Sequence, residues 1–377
     1  MVPSWARAAL SIVKGRLRRA RITQPTGALA PGSGPATLVM AVGSSFDQEL
    51  PDAMMTCRLG YCRGFEQLGI PYLIIDIRDL DRVLPDLTNP ICMLFGGDLH
   101  LISDPVARRL QHYRTIVWLY PWFRDSARFF RSHNLNPAIW TLPKDIISRI
   151  LLLEPDFGFT ATVPSGLGFF EEWQRRNVPV CSLPLACDIS LYKRDVPYHA
   201  EFDGIQLAFV GGYWESKGRQ LDRYLQPFAD RLVIYGYTRW PYPGYRGRLS
   251  REKEPSLYRQ ARVSPAINEP TVSLLKGQIN ERVFKVLGSF GCALADAVPA
   301  YRELYSEDEL LIAESPEHFQ ELVLALLKDE DMNLRYRMRG HAATLERHTY
   351  VHRAQFILDR LSVPAPGVRT VTIFPLS

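Results

Sequence analysis

From residue 36 onward, two hydrophobic patterns alternate along the chain. Short continuous apolar runs, such as TLVMAV (37–42) and PYLIIDI (71–77), are typical of strands that are buried on both faces. Segments with apolar residues at helical spacing, such as 52–68 and QLDRYLQPFA (220–229), predict helices between these strands. The alternation predicts an α/β fold whose parallel sheets are covered by helices.

The strand pattern continues through both halves and predicts two Rossmann-like βα domains, at 36–195 and 196–362, followed by a tail at 363–377. Ligands of such sheets bind at the carboxyl ends of the strands, so we expect the two sheets to face a central cleft. The further predicted strands are ICMLFGG (91–97), RTIVWLY (114–120), FGFTATV (157–163), VPVCSLPL (178–185), IQLAFVGG (205–212), RLVIYG (231–236), RVSPAIN (262–268), CALA (292–295) and ELLIA (309–313).

The stretch INERVFKVLGSFGCALAD predicts a short helix, a turn and a strand that stops at Asp296. Glu281, Arg282 and Lys285 lie at the front of this helix, where a helix N-terminus attracts anions. Gly291 is expected to end the helix. The residues that share its apolar face are Ile279, Val283, Val286, Leu287 and Phe290.

Composition narrows the class of protein. The chain has 377 residues, 46% hydrophobic and 23% charged, which is typical of a globular protein with a sizeable core, and its net charge of +5 does not by itself indicate nucleic acid. No run of 18 apolar residues predicts a transmembrane helix. The six cysteines form no CxxC pair, so we expect buried free thiols in a reducing compartment rather than disulfides or zinc ligands.

The N-terminal segment, residues 1–35, differs from the rest. Residues 1–24 carry six basic side chains and no acid, with apolar residues at helical spacing, and a Pro/Gly-rich linker follows at 24–35. This pattern suits the surface of an anionic membrane, resembles an organelle transit peptide, and equally fits a frayed basic tail. The expected location is the cytoplasm, with peripheral attachment to the cytoplasmic face of a membrane as the possibility that this segment raises.

Three stretches together resemble one group of enzymes. LAFVGGYWESKGRQLDRYL (207–225) is similar to the first strand, glycine turn and Lys-Gly of the nucleotide-sugar half of GT-B glycosyltransferases. LPLACDISLYKR (183–194) resembles the segment that leads into that half. The stretch 279–356 is similar to the glycosyltransferase domain of the CgeB-type spore-maturation family. The resemblance implies a GT-B fold, with the acceptor bound by the first domain and a nucleoside diphosphate sugar by the second.

The resemblance also assigns a donor site in the second domain. A diphosphate needs backbone N–H groups and cations, and glycines allow close backbone approach. A glycine pair after a strand is often only a turn, and Arg282 could instead form a surface ion pair. The residues assigned to the donor are Gly211, Gly212, Lys217, Tyr235, Gly236, Arg282 and Lys285, with Tyr235 and Gly236 flanking the base.

Lys285 departs from the family pattern. Many relatives carry an acid here that contacts the nucleotide ribose, and a second acid eight residues earlier, where this chain has Gly277. Glu269 could replace that earlier acid only if the loop after it folds back. An ammonium group only donates hydrogen bonds and cannot accept those of two ribose hydroxyls. Hence the nucleotide is held differently, the donor is unusual, or the site is inactive, and retaining or inverting chemistry cannot be inherited from the motif.

Catalytic candidates come from the first domain. Asp98 and His100 follow a predicted strand, and His100 could accept the proton of an acceptor hydroxyl near neutral pH. Alternatively, Asp98 caps a turn and His100 is simply exposed to solvent. The residues expected on the acceptor side are Gly43, Ser44, Ser45 and Trp122.

Other features carry less weight. His348 and His352 have zinc-like spacing without a third ligand, so no metal or cofactor is expected. The basic aromatic loop 238–248 could stack on nucleic-acid bases, but a loop that grips an anionic substrate, or plain surface, fits better. The leading hypothesis is a metal-independent glycosyltransferase acting on a glycan, a lipid-linked glycan or a cell-envelope component. The alternatives are a non-catalytic sugar-nucleotide binding protein and a sugar-nucleotide epimerase.

Overall fold

The computed structural model describes residues 36–43, 53–137, 141–275 and 277–365. The predictions for the basic segment, for Ser44 and Ser45, and for the tail beyond residue 365 lie outside these residues.

Eleven strands are assigned in the described part of the chain. They are β1 Thr37–Val42, β2 Tyr72–Asp76, β3 Pro90–Phe95, β4 Arg114–Trp118, β5 Phe157–Thr160, β6 Val180–Ser182, β7 Leu207–Val210, β8 Leu232–Tyr235, β9 Ser264–Ala266, β10 Ala293–Ala295 and β11 Leu311–Ile312. Each falls within an apolar run that predicts a strand, except that β3 begins one residue before its run, and this confirms the α/β pattern.

Helices separate most of these strands. They are α1 Ala53–Gln67, α2 Leu80–Val83, α3 Asp104–Leu110, α4 Ser126–Ser132, α5 Lys144–Leu153, α6 Glu171–Arg175, α7 Glu215–Leu225, α8 Glu254–Gln260, α9 Pro270–Leu275, α10 Arg282–Gly288, α11 Ala300–Leu304, α12 Pro316–Lys328, α13 Glu330–Arg347 and α14 Tyr350–Arg360.

Contacts divide the chain into two compact units. The first comprises Met1–Gly43, Leu73–Asp156 and Phe169–Pro179, and the second comprises Ser44–Tyr72, Phe157–Gly168 and Val180–Ser377. These units are assembled from interleaved segments, whereas the predicted domains are continuous; the predicted domain boundaries remain a prediction.

The first unit is built on parallel strands in the order β2-β1-β3-β4. β3 pairs in parallel with both β1 and β4. All six residues of β3 are buried, as expected for a continuous apolar run at the centre of a parallel sheet.

The second unit contains a comparable order. β7 pairs in parallel with β8, and β10 pairs in parallel with β9 and β11. A parallel bridge between Leu207 and Val263 joins β7 to β9, and the N–H of Ala208 donates to Val263 O at 3.1 Å. The resulting order is β8-β7-β9-β10-β11, so the direction of winding reverses between β7 and β9. β5 and β6 form a further parallel pair in this unit.

Two glycines let α14 pack closely against α1 in the second unit. A Cβ atom at Gly60 would lie 2.2 Å from Cε2 of Tyr350, and one at Gly64 would lie 2.4 Å from the Tyr350 carbonyl oxygen. Since real Cβ atoms do not approach so closely, glycine is required for this helix contact.

The end of α10 differs from the sequence prediction. The helix stops at Gly288, and Phe290 takes a left-handed conformation with φ 61°, so the expectation that the helical face extends to Phe290 and ends at Gly291 is wrong. Gly291 is needed for space instead, because a Cβ atom there would lie 2.7 Å from Tyr258 O. Its N–H donates to Val286 O at 2.8 Å, which closes the end of the helix.

All six cysteines are buried free thiols, as predicted; the reducing compartment stays a prediction. Among the described residues, no helix combines the length and the apolar character needed to span a bilayer.

Candidate functional site

The candidate site lies in the second unit, where the strand order reverses. Parallel sheets of this kind bind ligands beyond the carboxyl ends of their strands at such a point. Arg282, the first residue of α10, holds the carboxyl ends of β7 and β9 together. Its Nε donates to Val210 O and its Nη1 donates to Ile267 O, both at 3.1 Å.

Lys217 and Arg282 converge on the turn after β7. A Cβ atom at Gly211 would lie 3.0 Å from Nη2 of Arg282 and 3.3 Å from Nζ of Lys217. Below them, the ring centroid of Phe209 lies 4.1 Å from Cζ of Arg282 and 5.9 Å from Nζ of Lys217. Two cations therefore share one small volume next to bare backbone, an arrangement suited to a multiply charged anion. We call Gly211, Lys217 and Arg282 the cationic cradle.

Burial sets the electrostatics of Lys217. Its side chain is 3% exposed, and burial lowers its pKa to about 8, with a smaller contribution in the same direction from Arg282. Glu269 opposes this shift because its Oε1 lies 3.3 Å from Nζ of Lys217. Glu269 immediately precedes α9 and faces the cradle, so the segment after β9 does bring this acid to the site. An anion bound beside Lys217 would favour its charged form.

The remaining glycines at this edge serve close backbone approach. A Cβ atom at Gly236 would lie 2.2 Å from Gly211 O, and one at Gly212 would lie 2.4 Å from Cζ of Tyr237. Tyr235 is 5% exposed, and its ring centroid lies 6.3 Å from that of Phe202, so the ring belongs to the core. The role of Tyr235 and Gly236 beside a base stays a prediction.

A buried polar network, which the sequence pattern does not predict, supports Arg282. Asn268 donates from its side chain to Asp296 at 2.7 Å and to the Tyr301 hydroxyl at 2.9 Å. Its Oδ1 accepts the N–H of Asn280 at 2.9 Å, and Oδ1 of Asn280 in turn accepts the N–H of Arg282 at 3.0 Å. Burial raises the pKa of Asp296. The only sequence signal was that Asn268 ends one predicted strand and Asp296 directly follows another.

Lys285 lies apart from the cradle residues, in an ion cluster with two acids. Its Nζ lies 3.0 Å from Glu281 Oε2 and 3.9 Å from Glu254 Oε1. Burial opposes the charge of Lys285, but Glu254 and Glu281 outweigh burial and raise its pKa. Burial raises the pKa of Glu281, although Lys285 and the Tyr350 hydroxyl, which donates to Glu281 at 3.0 Å, oppose this. The contacts of Lys285 explain how an ammonium is tolerated at the position where the family resemblance implies an acid.

The proposed catalytic residues lie in the first unit. Asp98 Oδ2 accepts the N–H of Gly43 at 3.1 Å, and a Cβ atom at Gly43 would lie 2.6 Å from Asp98 Oδ1. His100 is exposed, and its Nδ1 lies 2.8 Å from Gly97 O. These contacts pin the loop after β3, as the turn-capping alternative requires. The catalytic roles of Asp98 and His100 stay predictions.

Trp122 is half-buried beside other side chains of the first unit. Its ring centroid lies 4.6 Å from that of Trp173 in an edge-on arrangement, and Cζ of Arg176 lies 5.9 Å from it. Its contact with an acceptor stays a prediction.

The two histidines with zinc-like spacing do not share a helix. His348 precedes α14, and its Nε2 lies 2.8 Å from Leu304 O. Burial lowers its pKa to about 3. His352 completes a capping box with Thr349 at the start of α14. Among the described residues, no group of three or more His, Cys, Asp or Glu side chains has a metal-binding arrangement.

Comparisons with known proteins agree with this arrangement. Residues 210–359 match the model of a family described as glycosyl transferase-like, a range that includes most of the candidate site. No curated protein matches the sequence.

Solved structures identify the fold. T4 phage BGT in complex with UDP and Mn²⁺ has a TM-score of 0.55 at 11% identity, covering 88% of this chain and 100% of that chain. The trehalose-6-phosphate synthase OtsA has a TM-score of 0.57 at 12% identity, covering 87% and 99%. Sucrose-phosphate synthase from Thermosynechococcus elongatus has a TM-score of 0.57 at 9% identity, covering 87% and 99%. The chain has the GT-B fold. Together, the family match and the structural matches identify an enzyme of the glycosyltransferase class.

Proposed function

We propose that the protein transfers a sugar from a nucleoside diphosphate donor to a hydroxyl acceptor without a metal ion. The observation that carries this proposal is the convergence of Lys217 and Arg282 on Gly211, where the strand order reverses. Two structural neighbours support the donor class: one is described in complex with UDP, and an E. coli trehalose-6-phosphate protein is described as bound with UDP-2-fluoro glucose.

The chemistry follows from charge. As the bond between the anomeric carbon and the diphosphate oxygen breaks, negative charge grows on the leaving diphosphate. Lys217 and Arg282 would stabilise that charge in a partly dry site, where fixed cations act most strongly. The acceptor oxygen bonds to the anomeric carbon, and its proton passes to a base. The two side chains would thus supply the positive charge that a divalent ion can also supply.

We assign the base to His100 or Asp98. A His100→Gln variant should lower kcat while donor binding, measured separately by calorimetry, stays unchanged. An unchanged kcat would remove His100 from the reaction.

For the acceptor we propose a glycan, a lipid-linked glycan or another cell-envelope component, as in a CgeB-type enzyme. The basic segment at residues 1–24 supports this choice through its charge, because six basic residues without an acid suit an anionic membrane surface. Residues 1–36 fused to a reporter should float with anionic vesicles but not with neutral ones. A fusion that stays in the dense fraction with both would reject membrane attachment.

Transfer is tested with the purified full chain and a panel of nucleoside diphosphate sugars, by following nucleotide release with and without acceptors. Lys217→Met retains the apolar stem and removes the charge, so it should abolish release. Arg335→Ala is the matched control, because Arg335 is an exposed arginine on α13 that stacks on Tyr336. Activity should persist in a metal chelator, and its loss there would reject metal independence.

Lys285 favours a second function, that of a non-catalytic sugar-nucleotide binding protein. The two functions separate in the same experiment. A binding protein would gain thermal stability with a nucleoside diphosphate yet release no nucleotide from any donor.

A further inference from the structure

A second concave surface lies on the same unit as the cradle. A cavity of about 560 Å³, which we call the basic pocket, is lined by Lys193, Arg194, Asp195, Arg259, His341 and Leu345. Its size falls within the range of small-molecule sites, roughly 300–1,000 Å³. The lining residues come from three separate segments, namely the chain after β6, the end of α8 and the second half of α13.

The pocket carries an unbalanced positive charge. Lys193, Arg194 and Arg259 contribute three positive charges against the single negative charge of Asp195. Burial, and to a smaller extent Arg194, lowers the pKa of His341, so its imidazole is neutral at pH 7. Within the described part of the chain, none of the three cations pairs with an acid, whereas arginines elsewhere on this unit do, such as Arg219 and Arg302.

Arg194 and Arg259 are held in place before any ligand binds. Cζ of Arg194 lies 4.5 Å from the ring centroid of Phe290, and Nη1 of Arg259 donates to the carbonyl oxygen of Arg194. Phe290 adopts its left-handed conformation here, which a bulky side chain seldom takes. In this conformation Phe290 ends α10, and its ring forms the surface on which Arg194 stacks. The Phe290 ring also meets His341, with 5.4 Å between centroids.

The basic pocket is distinct from the cradle. Nδ1 of His341 lies 2.9 Å from Leu287 O, near the end of α10, whereas Arg282 begins that helix. The five-residue step from Arg282 to Leu287 advances about 7.5 Å along the helix. One diphosphate in the cradle therefore does not also account for the cations of the pocket.

We propose that the basic pocket binds a small phosphomonoester, as a site separate from the donor site. Two net positive charges match a phosphate dianion, and guanidinium groups recognise phosphate through paired hydrogen bonds. Leu345, 40% exposed, offers an apolar wall for the organic part of the ligand. A neutral His341 whose Nδ1–H donates to Leu287 O has Nε2 as an acceptor for a hydroxyl group. A long polyanion would need an extended basic stripe rather than one concavity.

Binding is measured on the full chain by phosphorus NMR line broadening, using inorganic phosphate and glycerol phosphate in separate titrations. Every variant is built on Lys217→Met, so that the cradle has lost one of its two cations and is the same in all variants, and differences between them report on the pocket. Arg194→Ala should weaken the binding of glycerol phosphate about tenfold. Arg194→Lys keeps the charge but not the planar group that stacks on Phe290, so its affinity should lie between those of the parent and Arg194→Ala. Arg335→Ala, the matched stacked arginine, should bind as the parent does. Glycerol phosphate should bind more tightly than inorganic phosphate.

Three outcomes would overturn the proposal: no binding once Lys217 is replaced, equal losses for the Arg194 and Arg335 variants, or equal affinity for inorganic phosphate and glycerol phosphate. Circular dichroism of each variant checks the fold. The test is independent of sugar transfer, since loss of donor activity in Lys217→Met bears on the proposed function alone.

Discussion

Nζ of Lys217 lies 3.3 Å from Oε1 of Glu269, in an ion pair whose two partners differ in burial. The lysine side chain is 3% exposed and the glutamate side chain 35%. If the pair breaks, water can solvate the carboxylate of Glu269, whereas the buried ammonium of Lys217 needs another anion to balance its charge. A bound phosphate is such an anion, and the pair is poised for exchange of the carboxylate for a ligand.

This ion pair predicts a pH dependence of donor binding. The pKa of Lys217 is about 8, below its ordinary 10.5, so the ammonium is lost as pH rises through 8. Affinity for UDP, measured by calorimetry, should fall by up to about tenfold per pH unit above that value. Lys217→Arg should remove the fall, because a guanidinium stays charged. Glu269→Gln should move it to lower pH, since Glu269 raises the pKa. A wild-type affinity that is flat from pH 7 to 10 would contradict the assignment.

The titration of Lys217 predicts that folding stability changes with pH in the opposite direction to UDP affinity. Because the folded pKa lies below the unfolded value, the unfolded chain binds more protons between about pH 8 and 10.5. Lys217 therefore makes folding more favourable as pH rises through that window. The difference between wild type and Lys217→Met in urea unfolding should change in this direction, while donor affinity declines.

Two neighbouring glycines should separate function from folding. At Gly211 an added methyl meets only side-chain atoms, of Arg282 at 3.0 Å, Phe209 at 3.1 Å and Lys217 at 3.3 Å, and these need shift by only a few tenths of an ångström. Gly211→Ala should therefore fold but bind UDP poorly. At Gly236 it meets Gly211 O at 2.2 Å, so Gly236→Ala should lose about 1–3 kcal/mol of stability. Gly168→Ala is the control, because nothing lies within 4 Å of its added methyl. Urea unfolding and UDP titration give the two readouts; a Gly211→Ala variant with wild-type UDP affinity would argue against the cradle.

Arg282 should be sensitive even to replacement by lysine. Its guanidinium donates to carbonyl groups of two strand ends while it remains next to Gly211, and one ammonium cannot match that geometry. Hydrogen bonds to charged groups contribute about 1.5–3 kcal/mol, so Arg282→Ala should weaken UDP binding roughly 10–150-fold. Arg282→Lys should recover only part of the lost affinity. The control variant Arg335→Ala should bind UDP as tightly as wild type. Full recovery by lysine would mean that charge alone matters.

Much of the fold was predictable because the strands of parallel sheets are continuous apolar runs. The runs containing β3 and β7 stand out in the sequence for that reason. The ends of elements were less predictable: Gly291 looked like a helix stop, but Phe290 takes the left-handed position and Gly291 provides space beside Tyr258. Backbone crowding from a distant segment decides such positions, and local pattern does not record it.

For the site, the glycine turn and its cations were predictable, since Gly211 and Lys217 lie close together in the chain. The polar network was not. Asn268, Asn280 and Asp296 are ordinary loop residues in sequence, and only the adjacency of β9 and β10 turns them into a support for Arg282. Glu254 is a similar case, because its contact with Lys285 joins α8 to α10.

The ion cluster around Lys285 yields the prediction that bears most directly on the unusual sequence. Lys285→Glu introduces the acid that the family resemblance implies, but it adds a third carboxylate to Glu254 and Glu281 in a buried place. Leaving buried charges unpaired costs about 3–5 kcal/mol, so this variant should unfold at much lower urea than wild type at pH 7. Burial raises the pKa of Glu281, so the loss should shrink as pH falls and Glu281 becomes protonated. Exchanging the pair, with Glu281→Lys and Lys285→Glu together, should recover part of the stability. If Lys285→Glu instead folds normally and binds UDP more tightly, position 285 contacts the nucleotide. The ion pairs with Glu254 and Glu281 would then not explain why this position is a lysine.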